Sequence, residues 1–373
     1  MKLKRSSLMI IHNFRPGTTG GAELQAERLA IQLGELGHGM QVLTSLTVLD
    51  APQEEMIHGV QIHRVPHRLP YWVEQENSRT FRFLVRRRRS FDILHAHMAF
   101  GHAVMAVVFA RSFGKKSIIK IACAGKYGDL YLFSQFKWFD YALEIMHQAD
   151  AIVAVSKEVE RELLEYGFPH DRIVHIPNGV DVAKFERENP PFQNSSVNFL
   201  LTGRRHPQKG IDILLQAIRL LRERGMGERF KVSMYGADYE EYDYRNMAHE
   251  LGVMQSVQFF PFEQDIIPLY ESADCFLLPS RGEGLSNALL EAMSMELPVI
   301  ASSVSGTPDV VEDGIDGLLI LPESPQALAD SMGRVIENRE FAIQLGKNAR
   351  RKMESRFSLE SIARQYSELS ERL

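Results

Sequence analysis

Short apolar runs, each closed by Gly, Pro or Asn and most followed by a stretch of helical spacing, recur along this chain in two successive series, and that alternation constrains its fold most. In the first half the runs fall at 8–11, 41–44, 60–65, 92–95, 117–121, 151–155 and 173–176. In the second they fall at 198–201, 231–234, 257–260, 275–278, 299–301 and 317–320. Helical patterns lie between them, as at 22–36, 101–113, 138–148 and 157–166. Strand alternating with helix predicts an α/β class with two Rossmann-like, doubly wound, mostly parallel sheets. Ligands of such sheets bind beyond the carboxyl ends of the strands. The 373 residues suit two domains at about 150 residues each. A polar, proline-containing stretch, 186–196, is the linker candidate, which sets domains at 1–185 and 186–355 and leaves a terminal helical segment, 356–373.

Chemistry concentrates after two runs of the second half. The stretch 278–296, LPSRGEGLSNALLEAMSME, reads as strand, turn and helix, the helix beginning at Ser286 with Ala288, Leu289, Ala292 and Met293 on one face. Glu283 and Glu291 bracket the helix start, about 12 Å apart if a straight helix joined them. Free N–H groups at a helix start suit an anionic phosphate, and the two carboxylates suit polyhydroxyl groups. An ordinary turn with two surface glutamates is the alternative. After the run at 198–201 comes TGRRHPQKG, residues 202–210, whose Arg204 and Lys209 can meet a pyrophosphate as a fork and a point charge. This is not a Walker A loop, because the G-x-x-x-x-G-K-[ST] order is absent; a plain basic loop is the alternative. In the first half, Gly20 and Gly21 stand where a helix starts and either admit close approach of a ligand or make a tight turn.

The order from Glu283 to Glu291, followed by EAM and then PVIAS at 298–302, resembles the E-x7-E signature of glycosyltransferase family 4. G-R-x4-K-G at 203–210 is similar to that family's diphosphate-binding motif. The resemblance implies retaining enzymes of GT-B architecture, two Rossmann-like domains facing a central cleft, with a terminal helix that crosses back to the first. It implies transfer of a sugar from a nucleoside-diphosphate sugar to a hydroxyl of a glycan or lipid-linked acceptor, in cell-surface polysaccharide, lipopolysaccharide or glycolipid synthesis. On this chain it assigns catalysis to Arg204, Lys209 and Glu283. Donor contacts fall to Gly20, Gly21, Phe262, Gly284, Leu285, Ser286, Asn287 and Glu291. His97, Lys126 and Asp129 are acceptor-side candidates, and Phe259 reads as core packing. No cofactor beyond the donor is implied, and no metal: no two aspartates are separated by one residue, so Arg204, Lys209 and the Ser286 helix start must meet the leaving-group charge. His95 and His97 resemble the family's D-x-x-H-x-H, with a structural role as the alternative. The chain departs from many relatives at Ala122 and Cys123, where they carry a histidine near the reacting sugar. That departure motivates a sugar-nucleotide-binding subunit without catalysis as an alternative; another is a UDP-sugar 2-epimerase-like enzyme.

The net charge of -5 conceals a basic first half. Residues 1–180 hold 22 Lys+Arg against 18 Asp+Glu, and 181–373 hold 21 against 30. The run Arg86, Arg87, Arg88, Arg89, after Tyr71 and Trp72, reads either as a solvated face or as a contact for an anionic membrane surface or phosphate-bearing acceptor. Nucleic acid is not expected, since the chain is acidic overall and carries no such motif. Cys123 and Cys275 stand among apolar residues, which predicts buried, reduced thiols. With them and an apolar run at 8–11 too short for a signal peptide, the expected location is cytoplasmic, peripheral at the inner face of the membrane.

Overall fold

The computed structural model describes residues 5–16, 20–48, 50–66, 74–239 and 241–373, without the side chains of 74–78. Tyr71 and Trp72 lie outside the described residues, as do 17–19 of the first glycine-rich loop. The chain forms two compact units, Met1–Gly179 with Leu359–Leu373, and Val180–Ser358.

The first unit is built on β1 (Ser6–Ile10), β2 (Gly39–Leu46), β3 (Glu54–Ile57), β4 (Val60–Pro66), β5 (Ile93–His97), β6 (Lys116–Ile121), β7 (Ala151–Ala154) and β8 (Ile173–His175). Their order is β3-β4-β2-β1-β5-β6-β7-β8. All neighbours pair in parallel except β3 and β4, an antiparallel hairpin turned by His58 and Gly59, both at positive φ. The sequence reading contains no strand at β3. Its Glu-Glu-Met-Ile alternation covers a sheet edge and reads as polar. The helix Glu74–Arg87 also went unread, because arginines crowd it and Leu84 is its buried apolar residue among those described. The terminal helix Leu359–Arg372 belongs to this unit and places Ile362, Ala363, Tyr366 and Leu369 in its core beside Ala26, Leu29 and Leu33 of the helix Gly21–Glu35. That i, i+1, i+4, i+7 spacing makes one apolar stripe.

The second unit carries β9 (Val197–Thr202), β10 (Phe230–Tyr235), β11 (Val257–Phe260), β12 (Cys275–Leu278), β13 (Val299–Ser302) and β14 (Leu318–Ile320). The order is β11-β10-β9-β12-β13-β14, parallel throughout. The helix Ile211–Glu223 buries Ile211, Leu214, Leu215, Ile218 and Leu221 in the core of this unit. Each such side chain contributes about 1.5–3 kcal/mol of burial. The chain leaves β9 toward β10 and returns on its other side at β12. The crevice of this unit is therefore expected between the carboxyl ends of β9 and β12.

Candidate active site

Two loops meet at that switch point, one after β9 and one after β12. Gly210, at φ +64, lies so close to the second loop that a Cβ there would sit 2.0 Å from the Pro279 carbonyl oxygen. Only glycine suits both the left-handed backbone and the contact. Gln208 donates to the Gly282 carbonyl at 2.9 Å, and the Arg281 N–H donates to the Gln208 carbonyl at 2.7 Å. The Arg281 guanidinium forks onto the Asp212 carboxylate at 2.8 and 2.7 Å. Burial raises the Asp212 pKa, yet the Arg281 hydrogen bond and charge outweigh it and hold the carboxyl below its ordinary value. The loops are thus braced before any ligand arrives.

This bracing brings together two residues that the sequence assigned separately. Lys209 Nζ donates to Glu283 Oε1 at 2.6 Å, with the side chains 18% and 8% exposed, and Ser280 Oγ donates to the same oxygen at 2.6 Å. The Glu283 N–H donates to Ser305 Oγ at 3.2 Å, fixing the turn from the other side. An ammonium has three donors, so Lys209 keeps two for a ligand. Arg204 is exposed, and its guanidinium has no ion pair among the described residues. Its neighbour Arg205, 2% exposed, holds Asp238 at 2.5 Å and the Phe260 carbonyl at 2.9 Å. Of this arginine pair one faces solvent and the other braces the loop.

Ser286 is the N-cap, its Oγ accepting from the Leu289 N–H at 3.4 Å, and the helix runs Asn287–Ser294. Glu283 therefore precedes the helix, and the straight-helix distance expected between Glu283 and Glu291 does not apply. Gly284 accepts from the Gly306 N–H at 2.9 Å; Gly284 and Leu285 are buried and Asn287 half-buried. Glu291 is also buried, and Tyr270 donates its phenol to Glu291 Oε2 at 3.1 Å. Phe262 is 69% exposed, whereas Phe259 packs on the core under the Arg245 guanidinium, 5.0 Å from its ring centre.

In the first unit the Gly20 N–H donates to Glu23 Oε2 at 3.0 Å, so this glycine caps the helix Gly21–Glu35. His97 is buried with its ring 4.5 Å from that of His95; burial and the nearby His95, Lys120 and His102 hold its pKa well below the ordinary value, and burial with the Lys120 charge lowers that of His95 to about 3. Both are neutral. Lys126 is exposed over the Tyr127 ring at 5.2 Å. Asp129 is buried, accepts from the N–H groups of Ala99 at 3.3 Å and Ala122 at 3.0 Å, and is pushed up to about 6 by burial. It ties the loop after β5 to the loop after β6. Ala122 and Cys123 are half-buried, so the expectation of two buried thiols holds for Cys275 alone.

Sequence reasoning missed Lys120. It is 4% exposed, donates to Asn178 Oδ1 at 2.9 Å, and burial lowers its pKa to about 7. A lysine inside an apolar strand was the available signal. The basic run divides: all four arginines are exposed, but Arg87 pairs with Glu54 at 2.5 Å and Arg88 donates to the Val85 carbonyl at 2.8 Å. Among the described residues no helix is long and apolar enough to cross a membrane.

The fold is the GT-B architecture, shared with the structure of Anabaena HepE in complex with UDP and glucose at a TM-score of 0.80, 19% identity, and coverage of 99% of this chain and 100% of that one. Residues 182–352 match the family Glycosyl transferases group 1 and residues 19–184 match Glycosyltransferase Family 4, and the chain belongs to these glycosyltransferases. An uncharacterised glycosyltransferase of Methanocaldococcus jannaschii is 26% identical over 386 residues, 96% of this chain and 95% of its own length. The amylovoran biosynthesis glycosyltransferase AmsK of Erwinia amylovora is 27% identical over 232 residues, 61% of this chain and 57% of its own. The D-inositol 3-phosphate glycosyltransferase of Corynebacterium aurimucosum is 30% identical over 225 residues, 55% of this chain and 53% of its own.

Proposed function

We propose that this glycosyltransferase moves a sugar, with retention, from a nucleoside-diphosphate sugar to a hydroxyl of a glycan or lipid-linked acceptor in cell-surface polysaccharide or glycolipid synthesis. The observation that carries the reading is the Lys209–Glu283 pair at the β9/β12 switch point, 2.6 Å apart and beside exposed Arg204. The two remaining Lys209 donors, Arg204 and the Asn287 helix start lie against the diphosphate and stabilise the charge that develops as it departs. Glu283 Oε2 and Glu291 accept donor hydroxyls, with Leu285 and Gly284 shaping the turn; Phe262 flanks the base. Gly20 and Gly21 keep the donor-side role implied by the resemblance, and His97 and Asp129 shape the acceptor side with Lys126. No nucleophile is assigned, and transfer runs through an oxocarbenium-like state on one face of the sugar. The HepE complexes with UDP and with UDP-glucose make uridine nucleotides the first donors to try. Thermal shift of the full chain against a panel of nucleotide sugars, then NMR of the product's anomeric centre, tests this; an inverted anomer contradicts retention.

Transfer is expected to proceed without added divalent metal, because Arg204 and Lys209 supply the cations. Transfer abolished by a chelator and restored by magnesium or manganese would contradict this, whereas partial stimulation by metal would not.

The protein is also read as cytoplasmic, touching an anionic inner membrane face through Arg86, Arg87, Arg88 and Arg89. Each contributes about 1 kcal/mol at such a surface. Cosedimentation with anionic vesicles should therefore fall with salt and nearly vanish when all four become glutamine. Equal pelleting of wild type and variant would remove the membrane reading.

A further inference from the structure

The β3–β4 hairpin forms one edge of the first sheet, and between it and the helix Glu74–Arg87 lies a cavity of about 310 Å³. That is at the lower end of the roughly 300–1,000 Å³ of small-ligand sites. Its charged lining is four arginines, Arg64, Arg79, Arg82 and Arg86, against the single carboxylate of Glu54, with His63 at the wall. Arg79, Arg82 and Arg86 follow i, i+3, i+7 and so share one helix face. Arg64 is held rigidly: its guanidinium meets Glu55 Oε2 at 2.6 Å and the carbonyls of Pro52 at 2.9 Å and Arg15 at 2.5 Å. Its buried Nε has no hydrogen-bond partner among the described residues. His63 is buried, 3.4 Å from Glu54 Oε1 through Nδ1 and 3.3 Å from Gln41 Oε1 through Nε2. Four guanidinium groups from two elements, facing a concavity with one acid, need an anion with several acceptor oxygens, which guanidinium forks match.

We propose that this cavity binds a phosphate group, carried by a lipid headgroup or by a soluble phosphate ester. It is separate from the donor crevice, since it uses none of the residues after β9 or β12. Burial and the Arg87 charge hold the His63 pKa below its ordinary value against the opposing Glu54, so a phosphate arriving beside the ring gives a local signal. The site extends the acceptor side of the proposed transfer, but its test reads binding alone and so succeeds or fails independently of that reading.

The test follows the His63 imidazole by NMR in the full chain during titration with inorganic phosphate, glycerol 3-phosphate, glycerol, and vesicles of phosphatidylglycerol or phosphatidylcholine. The His63 signals should move with a phosphate probe and not with glycerol. Arg79→Gln with Arg82→Gln, which leaves Arg86 to Arg89 in place, should weaken that response about tenfold or more. Lys209→Met should leave it unchanged, separating this site from the donor crevice. A response to the soluble ester assigns a phosphorylated small molecule, and a response to phosphatidylglycerol vesicles alone assigns a headgroup; both support the site. Unmoved His63 signals with every phosphate probe, or equal affinity in the double variant, overturn it. Arg82→Gln alone, with thermal unfolding matched to wild type, guards against a folding defect.

Discussion

Lys209→Ala should weaken nucleoside diphosphate binding about tenfold to a hundredfold, since one charged hydrogen bond is worth about 1.5–3 kcal/mol. The same change should lower stability, because it leaves the Glu283 carboxylate, 8% exposed, with the Ser280 hydroxyl as its remaining side-chain partner. Removing one member of a buried pair costs about 3–5 kcal/mol, and the 18% exposure of Lys209 places this case toward the lower end. Binding and stability can be separated. In Lys209→Met with Glu283→Gln no buried charge is left uncompensated, so thermal stability should return toward wild type while affinity for the diphosphate stays low. Titration calorimetry and thermal denaturation of the single and double variants check both halves. Affinity restored along with stability would mean that Lys209 acts only by holding the loop.

Gly210→Ala should be the most damaging single-methyl change in the second unit. Its Cβ would stand 2.0 Å from the Pro279 carbonyl oxygen, and its backbone sits at φ +64. The left-handed conformation alone costs about 1–2 kcal/mol. The collision adds to this, because neither partner is a flexible side-chain end, so the loops after β9 and β12 must part. That separation pulls Lys209 away from Glu283 and loosens the Gln208 contact with Gly282. Gly225→Ala supplies the control: φ there is +76 with nothing within 4 Å of the new methyl, so the conformational cost stands alone. Gly210→Ala should lose both melting temperature and diphosphate binding, and Gly225→Ala only the former. Equal losses in the two variants would show that the close approach to Pro279 does not matter.

The strands were readable where both faces are buried. Cys275–Leu278 is apolar at every position, so its run and its strand coincide. β3 escaped because an edge strand needs no continuous apolar signal, and Glu74–Arg87 escaped because its arginines mask the helical period. At the site, residue types were legible but partnerships were not. Lys209 and Glu283 are 74 positions apart, and only the adjacency of β9 and β12 joins them. The same holds for Tyr270 on Glu291, and for Arg205, which turns inward to Asp238 while Arg204 faces solvent. Asp129 shows the converse: an expected acceptor-side group spends its carboxylate on the backbone of Ala99 and Ala122.

The central claim is that the second unit holds a diphosphate between Lys209, Arg204 and the helix beginning at Asn287. It is tested most directly by comparing calorimetric affinities for UDP and for uridine in wild type, Lys209→Met and Arg204→Gln. The difference between the two ligands isolates the phosphates from the base. Wild type should bind UDP far more tightly than uridine, and each substitution should shrink that ratio about tenfold or more while leaving uridine affinity in place. An undiminished UDP-to-uridine ratio in both variants would contradict the assignment.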